Sequence, residues 1–93
     1  MIIIAGYSLT AADQRDAVVK AFAGMVERAR AQDGCLDLSI SADSLDPERL
    51  NLFELWRDQQ ALDAWRKVAR GPRAKFTATY VKRYQTDKAE NPI

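Results

Sequence analysis

The sequence predicts a single α+β domain of the ferredoxin-like, split βαβ type, with elements ordered strand, helix, strand, strand, helix, strand. Three observations lead there. Leu36, Leu38 and Ile40 alternate with Asp37, Ser39 and Ser41, the period-two pattern of a strand with one apolar face. Val18, Phe22, Met25, Val26 and Ala29 instead recur at helical spacing. Finally, a turn-rich stretch from Ser44 to Arg49 joins two strand-like runs and leaves no room for a helix between them.

Each element follows from its residues. Ile2 to Leu9 is short and rich in β-branched residues, and Gly6 within it marks a bulge or a close backbone approach. Thr10 followed by Asp13 resembles a capping box, so a long amphipathic helix is expected over 11–33, ending where Gly34 can take a left-handed conformation. The second strand spans 35–42. Pro47 keeps the following loop out of any strand, and a third strand covers 49–57. On it Leu50, Leu52, Glu54 and Trp56 share one face, and Asn51, Phe53 and Leu55 share the other. Asp58 is a plausible N-cap for a helix over 59–70 that turns Leu62, Trp65, Val68 and Ala69 inward and stops at Gly71-Pro72. A short helical turn over 73–78 and a closing strand over 79–85, rich in aromatic and β-branched residues, complete the chain.

Composition removes whole classes of chemistry. Of 93 residues, 47% are apolar and 29% charged, which is an ordinary globular mixture with one small core. No histidine is present, so Ser-His-Asp, Cys-His and His-zinc sites are excluded. Cys35 is alone and forms neither an intrachain disulfide nor a CxxC metal or redox site. Gly6, Gly24, Gly34 and Gly71 are too dispersed for a phosphate loop or dinucleotide fingerprint. No nucleotide-binding motif is present. The apolar run at Met1–Ala5 is too short for a membrane span and lacks preceding basic residues, which predicts a cytoplasmic protein with no membrane partner. A net charge of +1 argues against nucleic acid as a partner. The stretch between Ala64 and Thr86 nevertheless holds seven basic residues and no acidic one, and it either favours an anionic ligand or simply solvates an exposed face.

A few side chains stand out as candidates. Glu54 is a carboxylate on a largely apolar strand face, so it must be hydrogen-bonded, paired or shifted in pKa. It either handles a proton or pairs with an arginine such as Arg83 or Arg57. Trp56 and Trp65 either form walls on which a planar ring stacks or fill the core, and Phe76 would close the same cavity. Tyr7 and Tyr80 either bond a substrate oxygen or orient strands at a subunit interface. A core this small also makes self-association a natural way to bury more surface.

Two stretches carry a family resemblance. Asp33-Gly34-Cys35-Leu36-Asp37-Leu38-Ser39, and the run from Leu52-Phe53-Glu54-Leu55-Trp56 through Ala61, Leu62 and Trp65, resemble the antibiotic biosynthesis monooxygenase domain family over nearly the whole chain. The resemblance implies a dimeric α+β barrel, in which the open sheet faces of two subunits pack together and the helices lie outside. It also implies oxidation of phenols or quinols by molecular oxygen without flavin, haem or metal. Trp56 matches the tryptophan that several oxygenating members use in their pocket. Leu52 and Leu62 stand where quinone-forming members carry Asn and Tyr, and Gly6 stands where the haem-degrading branch carries Asn. With no histidine either, haem degradation is not expected. The resulting expectation is a homodimer that binds a small aromatic molecule and oxygen. Trp56, Trp65, Phe76 and Tyr80 would hold the ring, Glu54 would handle the proton, and Arg83 would face the anion. A non-catalytic binding module or a non-redox isomerase on the same fold are the alternatives.

Overall fold

The computed structural model describes all 93 residues. Four strands, β1 (Ile2–Leu9), β2 (Cys35–Ala42), β3 (Arg49–Trp56) and β4 (Ala78–Gln85), form one sheet in the order β2-β3-β1-β4. Every neighbouring pair is antiparallel. Three helices, α1 (Ala12–Ala21), α2 (Ala23–Arg30) and α3 (Gln59–Val68), complete the ferredoxin-like fold. None is long and apolar enough to cross a membrane.

The alternation of side chains along β3 decides where the core lies. Register places Trp56 opposite Ile2, and Glu54 opposite both Ile4 and Leu38, so these residues share one face. Ile2, Ile4, Leu38 and Trp56 on that face pack with Ala29 of α2 and with Ala61, Leu62 and Trp65 of α3 in one buried cluster. The opposite face carries Tyr7, Phe53, Leu55, Tyr80 and Tyr84, and no element of the chain covers it.

The single helix expected over 11–33 is two helices that end at Arg30. At Phe22 the backbone sits at φ −78°, ψ −9°, and its N–H is shared between the carbonyls of Val18 and Val19 at 3.2 Å each. That three-centre bond interrupts the regular ladder. The expected capping box does not form either. Ala11 occupies the N-cap, while the buried Thr10 hydroxyl donates to the carbonyl of Lys75 at 2.9 Å. Two other devices fix α1 and α2. The half-buried Arg15 guanidinium reaches the β2–β3 loop, where Nη1 donates to the carbonyls of Asp46 at 2.9 Å and Arg49 at 3.0 Å. Arg30 Nε donates to the carbonyl of Leu38 at 2.8 Å and ties α2 to β2.

Asp58 caps α3 as its sequence position requires, its Oδ1 accepting from the Ala61 N–H at 2.8 Å. The helical turn expected over 73–78 is absent; residues 69–76 form no helix or strand, and Ala69 leaves α3 with extended backbone. Helical backbone rises only ~1.5 Å per residue, against ~3.3 Å for extended backbone. The stretch has to travel from the end of α3 across Met25 and Phe22 to the end of β1, where the Thr77 N–H meets the Leu9 carbonyl at 2.8 Å.

Candidate functional site

Between the sheet and α2 lies a cavity of about 140 Å³, lined mostly by apolar groups. Its floor is the helix-facing side of the sheet, with Leu50, Leu52 and Glu54 from β3, Ile40 from β2 and Ser8 from β1. Phe22, at the α1–α2 break, and Met25 form one wall, and Phe76 from the 69–77 segment closes the cavity. The rings of Phe22 and Phe76 lie 6.5 Å apart at 14°, a stacked arrangement. The break at Phe22 and the absence of a helical turn near Phe76 therefore serve the same place.

Glu54 is the one ionisable group on the lining. Its Oε1 accepts a hydrogen bond from Trp56 Nε1 at 2.9 Å. Burial pushes the carboxyl pKa up from its ordinary value of 4.5, while the indole bond and the positive charge of Arg66 partly oppose that rise. The second polar group is Ser8, whose hydroxyl shares a 3.0 Å hydrogen bond with Thr79. An apolar chamber with one proton acceptor can bind a small apolar ring and accept a proton from a hydroxyl on it.

The structure brings two of the six candidate residues, Glu54 and Phe76, to this cavity. Trp56 and Trp65 are 0% and 5% exposed and stack on each other with centroids 6.2 Å apart, so they fill the core instead of walling the cavity. Trp56 still matters to the site through its bond to Glu54. Arg83 does not meet Glu54; it donates to Gln59 at 2.7 Å and to Gln85 at 3.2 Å near the sheet edge. Arg57 is engaged with Asp33 and Asp58. Tyr80 lies on the opposite sheet face, its ring 5.1 Å from that of Tyr7. Strand parity explains the place of Tyr80, which pairs with Tyr7 on the far face; Arg83 pairs with Ile4 on the Glu54 face, but Gln59 and Gln85 take up its guanidinium.

Sequence reasoning missed Ser8, Ile40, Leu50 and Leu52 as lining residues. The parity that placed Glu54 inward would have found them, because Ser8 pairs with Leu50, and Ile40 pairs with Leu52, on the same face. Phe22 and Met25 carried only the signal of a helix face. No group of three or more His, Cys, Asp or Glu residues is placed to hold a metal ion.

Comparison with known proteins places this geometry in a wider set. A 1.40 Å structure from Deinococcus radiodurans, of a candidate antibiotic biosynthesis monooxygenase, superposes with a TM-score of 0.74 at 21% identity, covering 100% of this chain and 99% of that one. A similarly described protein from Nitrosomonas europaea gives 0.74 at 19% identity over 95% and 100% of the two chains. A haem degrader from Mycobacterium tuberculosis, with two haems bound in its active site, gives 0.67 at 14% identity over 97% and 98%. At these identities the likenesses establish the fold alone. No curated protein sequence matches the chain. The family model for antibiotic biosynthesis monooxygenases, however, matches residues 1–84, which include every residue of the cavity and all of the elements but the last residue of β4, and the chain accordingly belongs to that family.

Proposed function

We propose that the chain is a cofactor-independent monooxygenase that oxidises a planar phenol or quinol with molecular oxygen in the cavity at Glu54. Family membership supports a monooxygenase-type or small-molecule-binding function. The observation that carries the finer reading is Glu54 itself, a carboxyl with a raised pKa facing an otherwise apolar space of about 140 Å³. An apolar cavity of roughly 150 Å³ holds one benzene ring. Haem fits poorly here: the chain has no histidine to ligate its iron, and the cavity is well below the roughly 300–1,000 Å³ typical of larger ligands.

The chemistry balances without another reactant. Ionised Glu54 takes the phenolic proton, and burial strengthens it as a base toward a group whose own pKa is about 10. The phenolate passes one electron to oxygen, and the resulting radical pair combines at a ring carbon that carries hydrogen, para in a phenol and ortho in a quinol. Protonated Glu54 returns its proton to the peroxide. Loss of that carbon's C–H proton and cleavage of the O–O bond then release water and leave the quinone, a hydroxyquinone from a quinol, so one ring and one oxygen give one quinone and one water. Apolar side chains make up most of the lining around the anion. A homodimer formed through the uncovered sheet face belongs to the same reading, supported by the exposed Phe53, Tyr80 and Tyr84 on that face.

Oxygen uptake by chelator-treated, flavin-free protein with single-ring hydroquinones and phenols tests the proposal. The expected result is one oxygen consumed per ring, with the rate cut by about 10²–10⁴ in Glu54→Gln. Binding without uptake above autoxidation would instead identify a non-catalytic small-molecule module.

A further inference from the structure

An open groove of about 490 Å³ lies against α1 and α2 and shares one lining residue with the Glu54 cavity. Val19, Ala23 and Val26 give it apolar walls, and the exposed Lys20, Glu27 and Arg30 form its rim. Ile40 lines both spaces, and no other residue does. We infer that Ile40 is the partition that sets the size of ring system the Glu54 cavity admits, restricting the natural chain to single-ring phenols. The inference rests on the proposed reading only in placing an aromatic ring beside Glu54; it does not require turnover.

Three features make Ile40 a fixed wall. It is β-branched, with restricted χ1 freedom in a strand. Its backbone pairs with Leu52 in the β2–β3 ladder, and its side chain packs against the buried core cluster. The neighbouring Leu38 carbonyl holds Arg30 of α2 at 2.8 Å, which ties the helix on one side of the wall to the strand that carries it. With about 140 Å³ available, a single ring fills the inner space, and a fused second ring meets Ile40. Trimming Ile40 to alanine removes the part of the wall that separates the two spaces and gives a second ring an apolar path toward Val19 and Val26.

The test is anaerobic titration of ¹⁵N-labelled protein with phenol and with 1-naphthol, following the indole N–H signal of Trp56, whose hydrogen-bond partner is Glu54. The natural chain should bind phenol about 10-fold or more tightly than 1-naphthol, a discrimination within the range a hydrophobic pocket supplies. Ile40→Ala should shift that ratio toward 1-naphthol by about 10-fold or more, and Ile40→Val, which removes less of the wall, by a smaller step in the same direction. Ile40→Val also provides the measurement if the alanine variant fails to fold. Equal ratios in the natural chain and a folded variant would overturn the role of Ile40 while leaving the cavity reading intact. No movement of the indole signal with either probe would overturn both, and binding with the expected ratios but no oxygen uptake would overturn only the proposed reaction.

Discussion

The indole nitrogen of Trp56 donates to Oε1 of Glu54 at 2.9 Å, so a fully buried core ring holds the carboxyl that faces the cavity. The two residues are separated by one position on β3 and point to the same side of the sheet. This pair couples folding to the candidate chemistry, because the donor that satisfies the carboxylate is part of the hydrophobic core.

Removing that donor should cost stability and raise the carboxyl's pKa further. In Trp56→Phe an aromatic ring remains but Glu54 loses its partner, and the unsatisfied acceptor costs about 1–3 kcal/mol, to which the space left by the smaller ring adds. Urea unfolding near neutral pH measures the loss. NMR titration of the Glu54 carboxyl should show its midpoint move upward, because the indole bond holds it down in the natural chain. An unchanged midpoint would mean that the bond contributes nothing in solution.

Glu54 also sets a pH dependence with a defined sign. Its folded pKa lies above the ordinary 4.5, so the folded protein binds the proton more tightly than the unfolded chain does. The associated stability is fully present below pH 4.5 and is lost as pH rises through the folded value. Glu54→Gln cannot ionise, and it retains an oxygen that accepts from Trp56. Stability curves of the two proteins should therefore diverge above pH 4.5 in favour of the variant. Parallel curves across that range would count against a raised pKa.

The β2–β3 loop should respond to acid in the opposite sense. Asp43 accepts from the side chain of Asn51 at 3.0 Å and from the backbone of Asp46 at 2.9 Å and Leu45 at 3.1 Å, which lowers its pKa from 3.8 to about 2. Its contribution is present above pH 3.8 and disappears as pH falls through about 2. Asp43→Asn should lower stability at neutral pH and flatten the acid limb between those values. Circular dichroism melts at several pH values would reveal the difference.

Gly6 should tolerate no side chain. Its φ of 152° is one that L residues rarely adopt, and a Cβ there would collide with the carbonyl oxygen of Tyr80 and lie 2.7 Å from Val81 Cα on β4. Gly6→Ala should cost roughly 1–3 kcal/mol or more through backbone strain and a displaced β1–β4 pairing. Gly24→Ala is the control. Its Cβ would meet only the flexible end of Arg28 at 3.4 Å, and alanine should stabilise the helix by up to about 1 kcal/mol. Thermal melts of the two variants should move in opposite directions.

Much of the fold was legible because strand and helix periods are written directly in side-chain polarity. The alternation Leu38-Ser39-Ile40 and the parity of Leu50, Leu52, Glu54 and Trp56 identified the strands and the inward face of the sheet, whereas Leu36, at the β-bulge between Cys35 and Asp37, is exposed. The inward position of Glu54 on the cavity lining was legible for the same reason, as a charged side chain on an apolar face. The break at Phe22 was not legible, since the apolar spacing of Val18, Phe22, Met25 and Val26 continues across it. Nor was the non-helical path of residues 69–76, which nearby helix formers such as Arg73, Ala74 and Lys75 did not signal.

The sequence by itself determined the element order, the sheet face that meets the helices, the absence of histidine chemistry and the inward position of Glu54. Those properties depend on local period and residue type. Only the tertiary structure decided that Trp56 and Trp65 stack in the core, that Arg83 is held by Gln59 and Gln85, that Tyr80 turns to the other face, and that Ile40 lines both the Glu54 cavity and the groove beside α2. Each of these depends on which distant segments approach one another. A side chain's role as wall, core or rim is set by neighbours that its own stretch of sequence does not specify.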